Sequence, residues 1–199
     1  MTSFRYMAAA FAACLLLAAC LKHPEQPDRD LRSRTSTSSP RLPMGIIRVS
    51  GHNQTQVATP GQPVCPSTSP TQAESALTAI NILRTQHGLA PLRTSKKLQR
   101  AAEKHACEMA RRGVMSHAGL TSTGPADRIK RQGYRPLLTA ENIAAGKFDL
   151  HRVQTEWVRS PKHLANMMIA GLQHYGIGRA IAADGKSVFW AAVYAKGRD

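Results

Sequence analysis

Apolar positions fall into three regimes along the 199-residue chain. The first is an unbroken run, YMAAAFAACLLLAA, preceded by Arg5, the only charge in the first 21 residues. A membrane-spanning helix needs about 20 apolar residues, so this run is short for one. A basic start, a short apolar middle and small residues at its end predict a secretory signal. The second regime runs from Leu21 to about Pro70 and is rich in Pro, Ser, Thr, Arg and Gln. PDRDLRSRTSTSSPRLP has no periodic apolar content and predicts a disordered, solvated tether, because it cannot bury enough to offset ordering. Within it only GIIRVS (45–50) has the makings of a short strand. The third regime, residues 71–199, is periodic to the end and has the usual length of one domain with one core.

The periodic part divides into elements. Thr71-x-x-Glu74 fits a capping box preceded by Pro70, and Ala73, Ala76, Leu77, Ile80 and Leu83 share one helical face. Gly88 offers a left-handed stop. A second helix starts at Thr94 or Ser95, carries the stripe Leu98, Ala102, His105 and Met109, and ends at Gly113. Pro125 opens a short helix that closes near Gly133. Ala140-Glu141-Asn142-Ile143-Ala144 is strand-like and carries an acid. Asp149 caps a helix with Leu150, Val153 and Trp157 inward, and Ser160-Pro161 begins the last one. YGIGRAIA and SVFWAAVYA are strands joined by a turn at Asp184-Gly185.

The first regime ends in Leu17-Ala18-Ala19-Cys20, which resembles the lipobox of bacterial lipoproteins. The resemblance implies a signal over residues 1–19, cleavage before Cys20, and acyl chains on that cysteine. More than one such chain makes a stable anchor, at roughly 0.8 kcal/mol per buried CH₂. An uncut membrane start, or ordinary cleavage after Ala19, is the alternative. Cys14 leaves with the signal, so Cys65 and Cys107 are the cysteines that remain. In an oxidising compartment they suggest a disulfide, with two free thiols as the alternative. Cys107 lies nine residues after Leu98, opposite the apolar stripe of its helix at 100° per residue. A bond there pins the end of the tether to the helix's outer side. It closes a loop of about 40 residues, worth about 3–4 kcal/mol by loop-closure entropy.

The charge balance is 27 Lys and Arg against 12 Asp and Glu, and residues 71–199 hold 20 basic and nine acidic residues. Inside a cell such an excess raises nucleic acid as a partner. Export and the lack of Lys/Arg interleaved with aromatics argue against it. Anionic envelope polymers, lipid head groups and surface polysaccharides fit the excess better.

ILRTQHGLAPL, LQRAAEKHACEMARRGVMSH, DRIKRQGY, AENIA, W-x-x-SPKH-x-x-N and YGIG follow one another in order from about residue 72 to 195. Together they resemble the CAP superfamily, the SCP-like domains of cysteine-rich secretory proteins, antigen 5 and pathogenesis-related proteins, in its shorter bacterial form. The resemblance implies an α+β fold: a three-layer α-β-α sandwich with a small antiparallel sheet between helices. It also implies a cleft lined by two histidines and two acids. His117 matches the first histidine, Glu141 one acid and His163 the second histidine. The only carboxylate between His117 and Glu141 is Asp127, which can instead cap its own helix. SPKH departs from the commoner SPGH, and a cation at Lys162 beside His163 opposes a bound metal.

Three uses of His117, Glu141 and His163 follow. They could hold a divalent metal such as zinc with open positions for water, act as an acid–base pair, or form a hydrogen-bonded cleft floor. Asn142 and Asn166 are expected to tie backbone to the cleft wall. Trp157 and Trp190 belong to the core, and His87, His151 and His174 have no evident partner. No nucleophile elbow, HExxH or clustered CxxC occurs. The expected function is a non-enzymatic, membrane-tethered binding module for a lipid, sterol-like molecule, glycan or envelope component. A metal-dependent hydrolase and a structural envelope protein are the alternatives.

Overall fold

The computed structural model describes residues 54–198 and, as backbone, the strand Ile46–Val49. The expected signal, the acylated Cys20 and the first part of the tether lie outside the described residues. In chain order the elements are β1 (Ile46–Val49), β2 (Thr55–Gln56), α1 (Pro70–Gln86), β3 (Arg93–Thr94), α2 (Lys96–Arg112) and β4 (Val114–Met115). They continue with α3 (Pro125–Arg131), β5 (Pro136–Gly146), α4 (Leu150–Arg159), α5 (Pro161–Met167), β6 (His174–Ile181) and β7 (Val188–Gly197). Among the described residues no helix is long and apolar enough to cross a membrane.

Local chemistry sets the helix ends. α1 is capped two residues earlier than the Thr71/Glu74 pattern predicts. Ser69 is the N-cap, Gln72 closes the box, and Pro70 takes the first helical position, where its missing N–H costs nothing. Its inward face is Ala76 and Ile80, as expected, joined by Arg84, which the apolar pattern does not include. α2 starts from Ser95, whose hydroxyl accepts from Leu98 N–H, and stops at Gly113, φ 66°. The stripe Leu98, Ala102, His105 and Met109 is fully buried.

The main sheet runs β1-β5-β7-β6-β3. β7 runs antiparallel to both of its neighbours, β5 and β6, and the short edge strands β1 and β3 run parallel to theirs, so the sheet is mixed at its edges. GIIRVS thus supplies the strand its pattern allowed. Alternation along β7 divides the core in two. Phe189, Ala191, Val193 and Ala195 face α2 and α3. Trp190, Ala192 and Tyr194 face α1, α4 and α5. The result is the expected α-β-α sandwich. Gly176 and Gly178 of β6 explain how closely α2 lies on the sheet. A Cβ at either position would come within 2.3 Å of the α2 backbone, at Gln99 N or Glu103 N.

The packed part starts before residue 71. Val57 and Ala58 donate to the Gly113 carbonyl and Gly61 donates to that of Arg111. Val64 bridges Ile181, and Cys65 forms a disulfide with Cys107, Cα to Cα 5.4 Å. Thr68 donates from its backbone to Glu103 and from its hydroxyl to the Ile177 carbonyl. Backbone hydrogen bonds and one covalent link hold this strap, and neither leaves a periodic apolar signature.

Candidate functional site

Glu141 sits in the middle of β5, opposite Val193 of β7, and is fully buried. Its position in the alternation sends its side chain toward α2 and α3. There it meets three basic groups. His117, just after β4, donates Nδ1–H to Glu141 Oε1 at 2.8 Å. The Arg128 guanidinium, from α3, donates to Oε2. His105, from the buried stripe of α2, brings Nε2 to 3.9 Å from Oε1. Arg128 also donates to the His117 carbonyl at 2.8 Å and the Ser122 hydroxyl at 3.1 Å, so one cation ties loop, helix and strand together. His105 donates Nε2–H to the Ser116 carbonyl at 2.9 Å.

The electrostatics follow from this packing. Burial alone would push the Glu141 carboxyl up. The opposing pull of Arg128, His105 and His117 wins and holds it down at about 2. Burial pushes His105 down to about 4, against the attraction of Glu141. At neutral pH the cluster therefore holds an ionised carboxylate, a guanidinium and a neutral His105. With Nδ1–H committed to Glu141, the neutral tautomer of His117 carries its lone pair on Nε2.

The predicted site residues divide between the two faces of the sheet. Neighbours on a strand point to opposite sides, and Asn142 accordingly faces α5. Its amide donates to the His163 carbonyl at 3.1 Å and to the Tyr194 hydroxyl at 3.4 Å. Asn166 donates to the Glu141 carbonyl and to the Asn142 side-chain oxygen, both at 3.0 Å. These amides tie α5 to β5 from the side opposite the Glu141 carboxylate. His163 contributes its carbonyl to that network. Asp127 pairs with Arg131 one turn along α3, at 3.0 Å, and makes no capping bond.

Sequence reasoning leaves out two members of the cluster. It places His105 in the core stripe, and it singles out Asp127 instead of its neighbour Arg128. The available signal is helical spacing: Pro125, Arg128 and Ile129 fall at i, i+3 and i+4, which puts Arg128 on the buried face. His87 and His174 also have partners. His87 donates Nδ1–H to the Leu83 carbonyl, and His174 Nδ1 lies 2.8 Å from the Tyr134 hydroxyl.

The donor set does not fit a resident metal. Among the described residues no group of three or more His, Cys, Asp or Glu side chains is placed to hold one. Both Glu141 oxygens are already engaged, and a buried guanidinium occupies the place a cation would need.

The CAP profile, described as the Cysteine-rich secretory protein family, matches residues 77–194. Among solved structures, an outer surface protein of Borrelia burgdorferi is 24% identical with a TM-score of 0.56; the match covers 65% of this chain and 95% of that one. An extracellular SCP-domain protein of Bacillus anthracis is 25% identical with a TM-score of 0.56, and the match covers 63% of this chain and 40% of that one. This chain thus spans two fifths of the Bacillus protein. Among proteins of curated function none matches. The profile covers His117, His163, Glu141, β5, β6 and most of β7, and the chain belongs to the Cysteine-rich secretory protein (CAP) family.

Proposed function

We propose that the chain is an exported lipoprotein, acylated at Cys20, whose CAP domain is a non-enzymatic binding module for a component of the cell envelope. The surface and extracellular descriptions of the Borrelia and Bacillus relatives support export. The observation that carries the non-enzymatic reading is the state of Glu141. A general acid or base works best with a pKa near the working pH. Glu141 is held at about 2 and has both oxygens engaged, which suits a rigid floor and not a proton shuttle.

The test has two parts. Full-length chain expressed in a bacterium should partition with membranes, and Cys20→Ser should move it to the soluble fraction. Native mass spectrometry of the gently extracted protein should then show a bound lipid or glycan mass. If the protein carries no such mass and instead cleaves isolated envelope material in a manner lost in His117→Ala, the binding-module reading falls.

A further inference from the structure

The outer side of α2 carries two adjoining pockets that are remote from the amide network around Asn142. One, of about 380 Å³, lies between α2 and α3, with His105, Ser122 and Arg128 in its lining. The other, of about 470 Å³, runs beside the disulfide and extends to Arg111. They share Lys104, Glu108 and Thr121 and so adjoin, a trough in two parts between Arg111 and Arg128.

The charges along this trough are unequally committed. Glu103 accepts from the Thr68 backbone and the Gln99 amide. Glu108 accepts from the Leu120 N–H and lies 3.7 Å from Arg112. Its acids are thus used internally. Lys104 and Arg111 are exposed, and neither side chain has a hydrogen bond or ion pair among the described residues. At the far end Arg128, its side chain 8% exposed, spends its two terminal nitrogens on Glu141, His117 and Ser122. Its Nε–H is buried and has no partner among the described residues. A buried donor without an acceptor is destabilising. Arg128 lines the inner pocket, so this donor belongs to a residue of the trough wall.

We propose that this trough binds a polyanionic chain bearing phosphate or carboxylate groups, with Arg111 and Lys104 on the rim and the Arg128 Nε–H at the inner end. The spacing favours a polymer over a single ion, because the cations are distributed along two joined pockets. This deepens the binding-module reading. It rests on that reading for the ligand's source, and it places recognition on the outer face of α2 and α3, with Glu141 behind it as a counter-charge.

The experiment uses the full chain in detergent at constant ionic strength. Tripolyphosphate and inorganic phosphate serve as probes, followed by calorimetry and amide chemical-shift changes. Tripolyphosphate should saturate at least tenfold more tightly than phosphate, with shifts at Thr121, Ser122 and Arg128. Charge reversals Lys104→Glu and Arg111→Glu should each weaken it roughly fivefold or more, and added salt should weaken it steeply. Lys186→Glu, in the β6–β7 turn, should leave it unchanged. Absence of saturation overturns the inference, as does an equal loss in Lys186→Glu. Sedimentation of the Cys20→Ser chain, which lacks the acyl anchor, with anionic phospholipid vesicles that tripolyphosphate does not displace overturns it too. A co-purifying ligand whose mass persists in Lys104→Glu would sink this inference and leave the binding-module reading standing. Saturable tripolyphosphate binding by a protein that brings no ligand from the envelope would do the reverse.

Discussion

Two arginines are buried on opposite faces of the same sheet, and they are neutralised differently. Arg128, on the α2–α3 face, meets a carboxylate. Arg84, on the α1–α4–α5 face, is 0% exposed and meets carbonyls: Ala90 from its Nε, Met167 and Ile169 from one terminal nitrogen. Those carbonyls lie at or beyond the C-terminal ends of α1 and α5, where the last turns leave acceptors unsatisfied and the helix dipole favours a cation. The first arrangement couples buried charge to proton binding. The second satisfies a buried charge with dipoles that do not titrate.

Breaking each arrangement should separate them. Arg128→Met leaves Glu141 buried without its guanidinium, and urea unfolding at neutral pH should show a loss of about 3–5 kcal/mol. With its main partner gone, burial raises the Glu141 pKa above its ordinary value. A raised folded-state pKa stabilises below the unfolded value and is lost as pH rises, so this variant should regain stability in mild acid. Arg84→Met strands three carbonyls at about 1–3 kcal/mol each before relaxation, with no acid recovery. An equal acid response in both variants would collapse the comparison.

The native protein sharpens it further. His105 is depressed from 6.5 to about 4. A depressed folded-state pKa gives stability present above 6.5 and lost as pH falls toward 4, on the order of 3 kcal/mol. Glu141, depressed from 4.5 to about 2, adds a second loss as pH falls from about 4.5 toward 2. His105→Gln should remove the first phase from a stability–pH profile and keep the second, reduced by the loss of the His105 charge. A profile unchanged by the substitution would show that His105 is not the titrating group. The smallest effect belongs to the amide side: Asn166→Ala should cost about 1–3 kcal/mol, and that cost should not vary between pH 4 and 8. Chemical denaturation at both pH values checks it.

Most of the scaffold was legible because it rests on local rules. Ser95 and Gly113 bound α2, Asp149 caps α4, and the expected disulfide joins Cys65 to Cys107. The site was legible in part. His117 and Glu141 do meet, but AENIA reads in sequence as one patch, although adjacent strand residues face opposite sides. That alternation puts the Asn142 amide against α5 and the Glu141 carboxylate against α3. Arg128 and Arg84 escape notice for a shared reason. Pattern reading counts arginine as polar and exposed, while key partners that permit its burial are distant in sequence: Glu141 lies 13 residues from Arg128, and Met167 lies 83 from Arg84. The strap from residue 54 to 69 escapes it because backbone pairing leaves no side-chain period.

That strap has a mechanical consequence. Tension entering the described chain from its N-terminal side first loads the β1–β5 pairing, then the β2–β4 pair with the Val57, Ala58 and Gly61 hydrogen bonds at the C-terminal end of α2, and then the Val64–Ile181 bridge. Those contacts can peel one after another. Cys65 then passes the force through a covalent bond into Cys107, in the body of a helix seated on two side-chain-free positions of β6. The disulfide is a strain relief: a pull from the N-terminal side stops there, and α1 beyond it stays unloaded.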